Sequence, residues 1–271
     1  METIYQSAAE WFICHGGMER CHSLFSVPGI SGLNVMVDGM HGLDMGLTHH
    51  CLGNTLFVMC WRDRYLGPRL SPSQRLERIC DRIQLQYQGR QTPARLDAIA
   101  LFLFTDTDRP HRVYPCLSSR VKAAASRHLV PILSSIFDDM RAVGNVEDDH
   151  ISAMLHGLAN VYEGMDTDEQ MLSPQQLALV QDGMEACLQH YRWLHVQALT
   201  AAPRLFLWNK LPKHHYWQHL ARQAIWQNPR WACCYQDEDF MGYLKTITQS
   251  SLAGTKCNRA VPTVLKFGRS V

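Results

Sequence analysis

The stretch VMVDGMHGLDMGLTHHCLGN (residues 35–54) decides how the chain is read, because a short apolar run closes on Asp38 and a glycine-spaced pattern starts directly behind it. Gly32 to Val37 (GLNVMV) reads as a strand, and MGLTHHCLGNTLFVMCW (residues 45–61) reads as a helix. Asp38 then has two readings. The C-terminal end of a strand is where sheets of α/β type present ligand-binding side chains. Aspartate is also a common turn and cap residue, so Asp38 or Asp44 can simply start the helix. Local sequence favours the cap.

Outward from this corner, helices dominate. SPSQRLERICDRIQLQY (residues 71–87) opens with Ser71 as N-cap, Pro72 at the first helical position and Gln74 where a capping-box side chain reaches back. The same start recurs at Ser173, Pro174 and Gln176, followed by Leu177, Val180, Met184, Leu188, Tyr191, Leu194 and Ala198 at three-and-four spacing. Between them, Val121, Ala125, Leu129, Ile132, Ile136 and Met140 form one apolar stripe, and Ile151, Leu155, Leu158 and Tyr162 form another. Pro131 is expected to kink or bound the first of these. Besides Gly32–Val37, only Leu101–Phe104 and Arg230–Tyr235 read as strands. The expected class is mainly α with a small β component.

The 271 residues are 46% hydrophobic and 19% charged, enough for one large domain or two small ones. The formal net charge of +1 gives no overall field toward nucleic acid or membrane. The longest apolar run, AIALFLF (residues 98–104), is too short to span a bilayer, so no membrane partner is expected. The N-terminal stretch does not read as a secretory signal. With it, the ten cysteines read as reduced thiols of an intracellular protein, in nucleus or cytosol. No pair has Cys-x-x-Cys spacing.

Several clusters can carry chemistry. Asp237, Glu238 and Asp239 precede an apolar stripe, where carboxylates also favour a helix start. His215 and His219 stand at i and i+4, a spacing that can hold zinc, with Cys14, His15, Cys21, His22, Cys233 and Cys234 as further ligands. Burial of the histidine rings beside Trp217 and Leu220 is the heavier reading, and zinc is not the expected ion. Lys256, Arg259, Lys266 and Arg269 form an acid-free basic tail suited to nucleic-acid phosphates. The arginines between Arg62 and Arg82 are interspersed with acids and read as a solvated face. No nucleophile elbow, phosphate loop or dinucleotide fingerprint occurs.

Four segments together carry a resemblance. HSLFSVPGISGLNVMVDGMHGLDMGLTHHCLGNTL is similar to the surroundings of the second catalytic aspartate in DDE transposases of the CACTA and Kyakuja-Dileera-Zisupton kind, matching at Asp38, Met40, His41 and Gly46. RVKAAASRHLVPIL (residues 120–133) resembles their Lys-Ala-Ala-Glu-x-Arg helix, with Ser126 in the place of glutamate. LPKHHYWQHL (residues 211–220) resembles their Lys-x-His segment. DEDFMGYLK (residues 237–245) resembles their terminal acid segment, assigning Glu238 to the third acid and Phe240, Gly242 and Lys245 to its motif, with Met241 in the place of asparagine.

The resemblance implies an RNase H-like fold whose carboxylates hold two Mg²⁺ or Mn²⁺ ions for cutting and joining DNA. Applied here, it implies one transposase-derived region over residues 1–271. This would be an incomplete RNase H-like core (24–110) carrying a large helical insertion (119–200), followed by a helical part with the third acid (205–271). Asp38 and Glu238 would be the catalytic and metal-binding acids. The only acids before Asp38 are Glu2, Glu10 and Glu19, so the triad reads as catalytically incomplete. DNA is the implied partner, and an oligomer is compatible with it. The alternative is a non-catalytic helical module that binds DNA or protein.

Overall fold

A computed structural model describes residues 37–252 apart from 91, 93 and 97, with the backbone alone at 236–239 and 250–252. The chain divides into two compact units after Val37, and the body described here is the one that begins at Asp38. It is mainly helical. The strand expected at Gly32–Val37 lies outside the described residues but for Val37, as do Cys14, His15, Cys21, His22 and the basic residues Lys256, Arg259, Lys266 and Arg269.

A π-helical segment, Met40–Leu47, runs into α1 (Thr48–Trp61). Helix α1 is buried nearly all round, enclosed by other elements, with Leu52, Leu56, Met59 and Cys60 fully buried alongside the polar Thr48, His49, Asn54 and Thr55. After a single turn at Asp63–Leu66, α2 (Pro72–Gln88) lays Leu76, Ile79, Ile83 and Tyr87 on the core. Its capping box forms as the sequence requires: Gln74 N donates to Ser71 Oγ and Ser71 N donates to Gln74 Oε1.

Helix α3 (Ala123–Met140) buries the whole stripe from Val121 to Met140. Pro131 lies inside it and does not mark its boundary. Helices α4 (Val146–Met165) and α5 (Pro174–Thr200) make the most extensive helix pair among the described residues. Glycines allow it: a Cβ on Gly157 would stand 2.7 Å from Gly183 O, and one on Gly164 2.7 Å from Gln176 O. Two further helices follow, α6 (Lys213–Gln223) and α7 (Tyr235–Leu252).

No strand occurs among the described residues, which corrects two expectations. Leu101–Leu103 is a 3₁₀ turn. Its apolar run does not pair along its length but turns, burying Phe104 edge-on against Trp61 and leaving Phe102 exposed. Arg230–Tyr235 is split between a 3₁₀ turn at Pro229–Ala232 and the start of α7. Pro229 has no N–H for a ladder, and Asn228 Oδ1 accepts Arg230 N at 3.0 Å, nucleating the turn instead.

Candidate functional site

The corner quoted at the outset is where four separated elements meet. Asp38 acts as the cap of the π-helical segment: Oδ1 accepts Met40 N at 3.0 Å and Oδ2 accepts His41 N at 3.3 Å. A second set of donors comes from just before α7, where Cys234 N donates to Oδ1 at 3.2 Å and Cys234 Sγ to Oδ2 at 3.1 Å. His41 Nδ1 stands 2.5 Å from the same Oδ2 and 3.4 Å from Cys234 Sγ. Partial burial raises the Asp38 pKa, but the hydrogen bonds from Cys234 and His41 outweigh it and hold the carboxyl below its ordinary value.

Helix α6 fastens the other side of the segment. Lys213 Nζ donates to His41 O at 3.3 Å, and the buried Trp217 donates its indole N–H to Gly42 O at 3.1 Å. Gly46 makes this approach possible, since a Cβ there would meet His41 O at 2.9 Å and the Lys213 side chain at 3.4 Å.

One turn beyond His41, Asp44 is 2% exposed. It caps nothing. Its carboxylate accepts the hydroxyl of Tyr162 from α4 at 2.6 Å and that of Tyr235 from α7, while Tyr162 also bonds Thr48 Oγ1 at 2.7 Å. Burial pushes its pKa up to about 6, against the hydrogen bonds of both tyrosines and the charge of Arg127 from α3. The Arg127 guanidinium lies 5.8 Å from the centre of the Tyr235 ring. Asp44, Arg127 and Tyr162 open on a cavity of about 310 Å³ lined also by His128, Glu163, Asp166 and Arg230. Cys233, on its wall, donates to Pro229 O at 3.6 Å, and burial pushes its thiol up to about 12.

Of the residues singled out in sequence, Asp38, Met40, His41 and Gly46 belong to this corner, with Met40 buried and His41 exposed. Glu238 stands in the first turn of α7, four residues beyond the Asp38 partner Cys234. Its side chain is outside what is described. Phe240 and Lys245 are exposed, and no described atom lies within 4 Å of where a Gly242 Cβ would be. His215 and His219 bring their Nε2 atoms to 2.9 Å on the outside of α6, away from the buried Trp217. The residues that sequence reasoning missed are Arg127, Tyr162 and Tyr235. For Arg127 the signal was its place in RVKAAASRHLVPIL, and for the tyrosines it was Asp44 itself, an acid flanked by Leu43 and Met45 in an otherwise apolar segment.

The donors gathered at Asp38 are one carboxylate oxygen, one imidazole nitrogen and one thiol sulfur. They are within 4.8 Å of one another. Mg²⁺ and Mn²⁺ favour oxygen ligands, so the described donor set does not fit them; nitrogen and sulfur suit zinc. Among the described side chains, the other carboxylate nearby is Asp44, which is already engaged by two tyrosine hydroxyls.

Comparison with known proteins finds no match, whether with family models, with curated proteins or with solved structures.

Proposed function

We propose that this chain is a transposase-derived, DNA-handling protein whose acid corner descends from a metal-dependent strand-cleavage centre and is catalytically incomplete. One observation carries the reading: three of the four segments of the resemblance, far apart in sequence, meet at one locus, and the fourth begins two residues after Tyr235, which also stands there. His41 O accepts Lys213 Nζ of LPKHHYWQHL, Asp38 accepts Cys234 just ahead of DEDFMGYLK, and Arg127 of RVKAAASRHLVPIL faces Asp44 and Tyr235. Three unrelated coincidences of short motifs would not be expected to share one neighbourhood. Incompleteness is supported by the absence of any aspartate before Asp38 in sequence and, among the described side chains, by a donor set at Asp38 of backbone N–H groups, an imidazole and a thiol.

The alternative, a non-catalytic module that binds a protein, is favoured by the outer face of α7. Phe240, Met241 and Tyr243 are each about half exposed or more.

The test uses duplex DNA with Mg²⁺ or Mn²⁺. Binding should be present at low salt and weaken steeply as salt rises, since phosphate contacts release counterions. Nicking should not exceed that of Asp38→Ala or Glu238→Ala. Absence of binding at low salt would leave the protein-binding module standing, and nicking abolished by either substitution would overturn the incompleteness.

A further inference from the structure

We infer that Asp38, His41 and Cys234 form a zinc site, a three-donor centre that fastens the π-helical segment to the start of α7. Its ligating atoms are Asp38 Oδ2, His41 Nδ1 and Cys234 Sγ, whose mutual separations are 2.5, 3.1 and 3.4 Å. A tetrahedral zinc ion with Zn–N of about 2.0 Å and Zn–S of about 2.3 Å would set these edges at roughly 3.3 to 3.6 Å. The triangle therefore has to open by less than about 1 Å, most of it between His41 and Asp38. His41 is exposed and Asp38 and Cys234 are half-buried, so an ion can reach all three.

The carboxylate is already oriented for the task. Oδ1 is occupied by Met40 N and Cys234 N, while Oδ2, which accepts His41 N at 3.3 Å, is turned toward the imidazole and the thiol. Such outer hydrogen bonds fix the direction of a ligand before the metal arrives. Cys234 Sγ donates its proton to Oδ2 in the metal-free arrangement. When zinc binds, that thiol proton and any proton on His41 Nδ1 pass to solvent, and the two lone pairs so exposed bind the ion. Three protein ligands suffice when water completes the tetrahedron. Cys233 is not a ligand in this arrangement, because its sulfur faces Pro229 O and would lie 2.7 Å from a Cβ on Gly39.

The site does not depend on transposase ancestry. Loss of DNA binding would leave it standing, and loss of the metal would leave the DNA reading standing.

Cobalt is the probe, because its absorption reports both thiolate ligation and tetrahedral geometry. The full chain, kept reduced, is titrated with Co²⁺. The expected result is one thiolate-bound Co²⁺ per chain, displaced by Zn²⁺ and not by excess Mg²⁺. Cys234→Ser should abolish the thiolate-to-cobalt band with the helical circular dichroism unchanged, and His41→Ala should weaken binding at least about tenfold. Cys233→Ser should leave the band intact. No thiolate band in the full chain, a band that survives Cys234→Ser, or one that is lost with Cys233→Ser would overturn the site. Cobalt bound without any thiolate band would assign the metal to the His215 and His219 pair instead.

Discussion

Asp38 and Asp44 are six residues apart on one segment and their chemistry runs in opposite directions. Asp38 is held below its ordinary pKa, so it contributes stability at neutral pH that is lost as pH falls through its folded value. Asp44 is raised to about 6 by burial, so its protonated form is the one the fold favours. Its contribution is fully present below the unfolded carboxylate value and is lost as pH rises, over a window of roughly pH 4 to 6, with an amplitude on the order of 3 kcal/mol. Burial lowers His49 and His50 to about 4, which makes stability rise over the same window, so the Asp44 effect is read as a difference: in urea unfolding, the stability of the native chain relative to Asp44→Asn should decline as pH rises. An unchanged slope in the variant would mean that Asp44 titrates as an exposed acid. Neither assignment was fixed by local sequence: the corner offered two acids as possible caps, and only the placement of Met40, His41 and Cys234 gives that role to Asp38.

Among elements, the helices with self-contained signals were legible. Both capping boxes form, Ser173 Oγ accepting Gln176 N as Ser71 Oγ accepts Gln74 N, because every group involved lies within four residues. The stripes of α3 and α4 are buried as their spacing requires. The short apolar runs were not legible, since a run of four to six apolar residues does not distinguish a strand from a plug that turns back on the core. The α4–α5 pairing was also hidden, because a glycine inside a helix normally only weakens it. Here Gly157 and Gly183 let two backbones touch. Gly157→Ala should therefore lower stability by about 1 to 3 kcal/mol in urea unfolding, as backbone cannot move aside as a side-chain end can. Gly242→Ala, with no described atom within 4 Å, should instead be neutral or stabilising by up to about 1 kcal/mol. Equal effects at the two positions would argue against the close contact.

At the scale of the whole molecule, chain order alone cannot say which distant residues meet. The resemblance supplied the order of segments and pointed to Asp38 and Glu238; it did not point to a thiol. In sequence Cys234 is one of several cysteines that can add a ligand to the His215 and His219 pair, yet its partners are His41 and Asp38, more than 190 residues away. Among the described residues no helix is long and apolar enough to cross a membrane. What holds the corner together is contact between the segment after Asp38 and α3, α6 and the start of α7. The central claim is that this junction is built around nitrogen and sulfur donors as well as a carboxylate. The most direct measurement is anomalous scattering at the zinc edge from crystals of the full chain grown with Zn²⁺ and excess Mg²⁺. A single strong peak bounded by Asp38 Oδ2, His41 Nδ1 and Cys234 Sγ is the expected result. A peak confined to His215 and His219, or none at the Asp38 corner, would contradict it.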